Sequence, residues 1–398
     1  MWFFIIIACL FQGTFSSEEF ISEDRLEKYT ADSEYFLNIS ELINYHGYSS
    51  EEHHVETEDK YILTVYRIRP RKYNEDKSPK PVVFLQHAVL GDATHWISNS
   101  PNNSFGFILA DAGYDVWLGN SRGNAWSLRH KTLEPTEQKF WEFSFHEMGY
   151  YDLPAVIYYI LNETRQEQLY YVGHSEGSTS GFVAFSTRPQ LAERIKLFFA
   201  LGPPTAIPHL TTPVANFAYI SKGVLEVILG TKQVLLFPAN LKKLLAKLCT
   251  YQPRFCANIL AFICGYNIPN MNMDRLAMYV ARSPAGTSLQ NFLHWCQMIL
   301  TKDFMAYDYG SQEKNMQKYN QTTPPVYKIE DIKIPIVLWT GGNDLFINSK
   351  DVDLLRSKIS NLISENHIPE WQHLDFIWGL DAPERMYVKL IETMKRYA

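Results

Sequence analysis

Three short runs of nearly unbroken apolar residues stand out along the chain. They are 81–86 (PVVFLQ), 168–172 (QLYYV), which ends at Gly173, and 334–339 (IPIVLW), which ends at Thr340-Gly341-Gly342. A strand that is apolar at successive positions is buried on both faces, so these runs predict central parallel strands. Helical spacing lies between and beyond them, at 152–161, 181–185, 192–196 and 352–363, with a closing helix over 383–397. Strands alternating with helices predict an α/β fold, with a mostly parallel central sheet and helices on both faces.

The stretch 202–325 breaks that rhythm with short helical patterns rich in Leu and Pro. Within it Leu241, Leu244, Leu245 and Leu248 fall at i, i+3, i+4 and i+7, with Lys242, Lys243 and Lys247 mostly off that face. Two readings stay open: an amphipathic helix facing the core, or a lid whose apolar face covers a greasy substrate.

Composition narrows the classes. Of 398 residues 46% are apolar and 20% charged, ordinary globular usage that excludes wholesale disorder. The length suits two or three domains, or one large enzyme domain with an insertion. A formal charge of −6 with no long basic run makes nucleic acid an unsuitable partner.

The apolar run 2–11, followed by Gly13, Thr14, Ser16 and Ser17, is too short to span a bilayer. It reads as a signal peptide over 1–17 despite lacking Lys or Arg ahead of it; the alternative is a buried N-terminal helix. No other run is apolar and long enough for a transmembrane segment. Export gives meaning to four N-x-S/T sequons, at Asn38, Asn102, Asn162 and Asn320. Of five cysteines, Cys9 leaves with the signal, Cys249, Cys256 and Cys264 cluster, and Cys296 stands apart. With no C-x-x-C pair the pattern argues against a zinc ribbon or redox motif, and one bridge plus free thiols is expected.

The chemistry centres on Gly173-His174-Ser175-Glu176-Gly177, a G-x-S-x-G pentapeptide. A strand leads in, and Ser178, Thr179, Ser180 and Gly181 open a helix after it, which is the setting of a nucleophile elbow rather than of an incidental serine in a glycine-rich turn. A serine hydroxyl needs a base to take its proton, and the base needs an orienting acid, in the chain order Ser, Asp or Glu, His. Asp344 follows the third strand at once and is the acid candidate, whereas Asp351 and Asp353 read as solvated carboxylates opening the next helix. Only His367 and His373 follow Asp344. His367 falls in the expected final strand, and His373 in the loop before the last helix, where the base belongs.

The oxyanion hole is expected from two backbone N–H groups, those of Glu176 and of Val89 in the turn His87-Ala88-Val89-Leu90. His87 reads as a loop-orienting residue. His53 and His54, beside Glu56 and Glu58, lack metal-ligand spacing and read as a solvated face. No metal or organic cofactor is called for.

Longer segments carry a resemblance. They are 109–117 (LADAGYDVW), 119–124 (GNSRGN), 151–155 (YDLPA), 284–288 (PAGTS) and 378–383 (WGLDAP). With the pentapeptide they make the chain, from about residue 38 to 397, resemble the animal acid lipase family. The resemblance implies an α/β-hydrolase core over 18–202 and 326–398, with a helical cap and lid over 203–325. It implies hydrolysis of neutral lipid esters, triacylglycerols or cholesteryl esters, with Ser175, Asp344 and His373 as nucleophile, acid and base. It places a disulfide on Cys249 and Cys256 and leaves Cys264 unpaired; the cysteine spacing is shorter than the family's and points to an altered lid loop.

Two residues depart from the family pattern. Glu176 stands where Gln is usual, and a carboxylate there would oppose a developing oxyanion unless protonated or turned away. Ala88 stands where Gly is usual and would strain a turn that requires positive φ. The expected protein is therefore a secreted serine esterase, or alternatively a lysosomal one, meeting a lipid–water interface as a monomer. The rivals are a catalytically weak lipid-binding protein of the same fold and an esterase for small soluble esters.

Overall fold

The computed structural model describes residues 34–69, 79–210 and 212–398. The expected signal peptide, with Cys9, lies outside the described residues. Nine strands form one sheet among the described residues, eight of them along its path: β1 (Ser49–Glu56), β2 (Tyr61–Arg69), β3 (Val82–Gln86), β4 (Asp115–Leu118), β5 (Leu169–His174), β6 (Ile195–Leu201), β7 (Ile336–Gly341) and β8 (Leu362–Ile368). Their order is β1-β2-β4-β3-β5-β6-β7-β8, with the short strand Arg129–His130 also pairing with β2. β3 to β8 run parallel, and β1 and β2 join antiparallel at one edge.

The helices are α1 (Ile39–Tyr45), α2 (Phe105–Asp111), α3 (Leu153–Thr164), α4 (Glu176–Thr187), α5 (Lys222–Leu229), α6 (Ala239–Tyr251), α7 (Pro253–Cys264), α8 (Leu276–Arg282), α9 (Leu289–Leu300), α10 (Gln312–Tyr319), α11 (Ser349–Lys358) and α12 (Val388–Arg396), with shorter helical turns between. Successive residues of the central strands point to opposite faces. Val83, Leu85, Val172 and Phe199 therefore pack with α1, α2 and α12, while Phe84, Tyr171, Phe198 and Leu338 pack with α3 and α4. Both faces are buried, which accounts for the unbroken apolar runs.

Two expected helices are corrected. Residues 192–196 divide between a helical turn, Pro189–Ala192, and the start of β6. The run from Ile195 to Leu201 is apolar at all but Lys196 and sits between β5 and β7, so burial on two faces overrides its helical spacing. The helix expected over 352–363 is Ser349–Lys358, and Leu362 and Ile363 open β8 beside β7.

Between β6 and β7 the chain passes through α5 to α10. Cys249 and Cys256 are bonded across the α6–α7 corner, while Cys264 and Cys296 are free. The leucine stripe of α6 is not a core face: Leu244 is 64% exposed, and Ala246 and Cys249 are the buried positions. The side chains of Asn38, Asn102, Asn162 and Asn320 belong to exposed residues. Among the described residues, no helix is long and apolar enough to cross a membrane.

Candidate active site

The sheet register brings the loops together. Gln86 lies opposite Gly173, His174 opposite Leu201 and Leu201 opposite Trp339, so the loops after β3, β5, β6 and β7 emerge at one edge. Ligands of parallel sheets bind at such carboxyl ends.

Ser175 sits between β5 and α4 with φ 53° and ψ −121°, a conformation that L residues rarely adopt. Its N–H donates to the Leu201 carbonyl at 2.9 Å, which holds the strained residue against the next strand. The two glycines are forced by the crossing of backbone segments. A methyl at Gly173 would lie 2.5 Å from the amide nitrogen of Ser178, and one at Gly177 would lie 2.3 Å from the Gln86 carbonyl oxygen.

Asp344 and His373 are brought together. His373 Nδ1 lies 2.9 Å from Asp344 Oδ2, with both side chains nearly buried, and the Phe346 N–H donates to Asp344 Oδ1 at 2.8 Å. Again glycines permit the approach: a methyl at Gly341 would strike the Trp371 carbonyl and one at Gly342 the Pro369 carbonyl, each at 2.4 Å. His174 then carries His373 to the elbow. Its Nε2–H donates to the His373 carbonyl at 3.0 Å, and the two rings stand 4.9 Å apart. Burial holds the His174 imidazole neutral, far below its ordinary pKa. The sequence reading passed over this residue; its position beside the serine of the elbow was the available signal.

The loop after β3 is locked from several sides. Ser121 N–H donates to His87 Nε2 at 3.0 Å, so His87 carries its proton on Nδ1, which donates to the Ala88 carbonyl at 2.7 Å. Asn124 Nδ2 reaches the Gly91 carbonyl at 3.3 Å, and Ala285 N–H donates to the Leu90 carbonyl at 2.6 Å. The segments 119–124 and 284–288 thus hold this turn. Strain falls elsewhere than expected: Leu90, with φ 60°, takes the left-handed position, and Ala88 does not. Among the described residues no protein acceptor engages the N–H groups of Val89 or Glu176.

The Glu176 side chain is buried against α9. Its Oε2 accepts from Asn291 Nδ2 at 2.7 Å and from Trp295 Nε1 at 2.6 Å. Burial pushes the carboxyl up from 4.5 to about 7, and the two donors only partly offset it.

Asp351, read as solvated, is buried and lies 2.6 Å from His209 Nδ1, because α11 packs its first turn against the loop after β6. Asp353 is exposed and pairs with Arg356. His367 lies in β8 beside Thr340 at 2.9 Å, away from the Asp344 pair. His53 is half-buried against Trp117 and Tyr159, while His54 is exposed. Among the described residues, no three His, Cys, Asp or Glu side chains are grouped to hold a metal ion.

The α7 end rests on this machinery. A methyl at Gly265 would meet Gln372 Oε1 at 2.6 Å and Leu345 Cγ at 2.9 Å, the neighbours of His373 and Asp344. Asn270 Nδ2 donates to Asp375 Oδ1 at 2.8 Å, and Asp375 Oδ2 accepts from the Gln372 N–H at 2.7 Å.

Comparison with known proteins agrees with this architecture. A partial α/β-hydrolase lipase region matches residues 39–100, and the α/β hydrolase fold matches 81–380. The chain is similar to the human lysosomal acid lipase/cholesteryl ester hydrolase, 49% identical with 100% of this chain and 99% of that protein covered. It is also similar to lipase member M of Mus musculus, 47% identical with 100% and 93% covered. Among solved structures, a proposed lipase from Sulfolobus solfataricus shares the fold with a TM-score of 0.60 at 12% identity, covering 88% of this chain and 95% of that one.

Proposed function

The chain belongs to the animal acid lipase family of α/β hydrolases, and on that premise we propose that it hydrolyses triacylglycerols and cholesteryl esters through an acyl-enzyme on Ser175. Ser175 Oγ attacks the ester carbonyl as His373 takes its proton, and Asp344 orients the imidazole and stabilises its charged form. The free N–H groups of Val89 and Glu176 receive the oxyanion. The alkoxide of the leaving alcohol takes the proton back from His373, and water, activated by the same base, then releases the fatty acid. The observation that carries this reading is the buried Asp344–His373 pair at 2.9 Å, tied through the His373 carbonyl to the residue beside Ser175.

Residues 203–325 act in this reading as cap and lid. Ser175 and His373 are only 4% and 5% exposed, so a bulky ester reaches them when the cap moves. The exposed apolar side chains Val227, Leu244 and Phe262 suit contact with a lipid–water interface. The name of the human relative supports a lysosomal protein.

The test is hydrolysis of an emulsified long-chain triacylglycerol and of a cholesteryl ester from about pH 4 to about pH 8, with wild type beside Ser175→Ala. Loss of hydrolysis in Ser175→Ala, with turnover in wild type, is the expected result. Turnover that survives in Ser175→Ala, or none in wild type, would remove the acyl-enzyme reading.

A further inference from the structure

Residue 176 contributes two groups to one place: a backbone N–H at the proposed oxyanion site and a carboxyl buried behind it. The carboxyl is held by two neutral donors on α9, Asn291 and Trp295, and no cation pairs with it among the described residues. Titratable groups on the elements packed round α4 include His146, Glu147 and Asp152 in the turns before α3 and Tyr171 on β5, whose hydroxyl donates to the Gly177 carbonyl at 2.6 Å; His294 on α9, His87 after β3, and Asp344 with His373 lie on the adjoining segments. None of these is hydrogen-bonded or ion-paired to it among the described residues. Arg122, a buried cation, is committed to Asp59 and Asp152.

An acid so placed exists in two forms with opposite effects. Protonated, it leaves the N–H of residue 176 free to meet a developing negative charge. Ionised, it puts a like charge within a residue's length of the oxyanion in a water-poor site, which slows formation of the tetrahedral intermediate on the order of tenfold to a hundredfold.

We infer that Glu176 is a positioning residue whose side chain must be protonated for the oxyanion hole to work, so that it sets the alkaline limit of the enzyme's activity. The inference rests on Ser175 as nucleophile. Burial pushes this carboxyl up to about 7, within the range where such a limit would be read. His373 accepts the proton of Ser175 Oγ in this scheme, so loss of the alkaline limb in a residue-176 variant reads the oxyanion side rather than the base. Gln at position 176 keeps an acceptor for both donors and cannot ionise.

The experiment measures the rate of fluorophosphonate labelling of Ser175, and kcat/KM on a soluble ester, from about pH 5 to about pH 9. It uses full-length wild type, Glu176→Gln, Trp295→Phe, Asp375→Asn and Ser175→Ala. Asp375 is the control because burial also pushes it to about 7, two residues from His373. Wild type is expected to fall at least about tenfold through the alkaline limb, and Glu176→Gln to lose that limb. Trp295→Phe removes a donor that favours the ionised form, and should carry the limb to higher pH without abolishing it. An unchanged limb in Glu176→Gln, or one that moves only in Asp375→Asn, overturns the inference. Absence of labelling in wild type while Ser175→Ala still hydrolyses ester would instead sink the nucleophile reading itself.

Discussion

A buried acid without a cation couples folding to pH as well as catalysis. Glu176 holds its proton in the folded state up to about 7, against 4.5 in an exposed chain. Between those values the folded state binds the extra proton, so stability falls as pH rises through the interval. The difference is on the order of 3 kcal/mol when fully developed. Glu176→Gln escapes that loss. Relative to wild type it should show little change in urea unfolding near about pH 4 and a gain of roughly 2–3 kcal/mol near about pH 8; an equal offset at both would contradict the burial argument. Asp351 shows the same physics with a partner: its carboxyl is also raised by burial, and His209 at 2.6 Å compensates part of the cost. Nothing in the residues around Asp351 distinguishes it from the exposed Asp353 two positions on. Its environment is supplied by a loop some 140 residues earlier in the chain.

At the level of elements, the elbow depends on β5, α4 and the loop after β3 sharing space that admits no side chain. The atoms a methyl would strike at Gly173 and Gly177 belong to backbone and cannot rotate away. Gly173→Ala is accordingly expected to cost about 3 kcal/mol or more. It should be recovered, if soluble, with a lowered melting temperature and no labelling of Ser175. A variant that melts and labels like wild type would show that the crossing can widen. The pentapeptide was legible because this geometry demands Gly at both positions and a strained Ser between them. β6 was not legible, because residues 192–196 satisfy helical spacing and only the neighbours β5 and β7 decide otherwise. The turn after β3 misled in a smaller way: Ala88 was the expected site of strain, yet hydrogen bonds from 119–124 and 285 place the left-handed residue at Leu90.

Across the whole molecule, exposed apolar side chains gather in the excursion between β6 and β7. Val227 is 87% exposed, Phe262 67% and Leu244 64%. Replacing Val227 and Leu244 by Asp should leave the melting temperature within about a degree, since neither is packed. The same double variant should lower turnover of an emulsified ester about tenfold while sparing a soluble short-chain ester. Equal loss on both substrates would remove the interfacial role. The buried titratable groups give a second expectation. His87, His95, His146, His174 and His294 are kept neutral by burial, so stability is lost as pH falls below about 6.5. Asp152, Glu176, Asp351 and Asp375 are raised and act in the opposite sense. Below about pH 4.5 further losses set in, because Glu34, Asp59, Asp92 and Glu147 are held low and must then take protons, and below 3.8 the raised aspartates no longer offset them. The melting temperature should therefore vary little from about pH 6.5 to 4.5 and drop steeply below. A steady decline beginning at about pH 6.5 would mean that the raised carboxyls are ionised in the folded state.

The sequence by itself determined the features written in short-range spacing. These are the buried strands, the Gly-x-Ser-x-Gly elbow, the order Ser175, Asp344, His373 along the chain, and the segments that carry the family resemblance. Such patterns follow from local backbone sterics and from the two-residue and 3.6-residue periods of strand and helix. Only the tertiary structure decided which groups meet across long loops. His174 reaches the carbonyl of His373 199 residues later, Glu176 finds its donors 115 and 119 residues away on α9, and the leucine stripe of α6 turns partly to solvent. The physical reason is that protonation and exposure depend on the dielectric and the neighbours around a side chain, and those exist only once the chain has closed on itself.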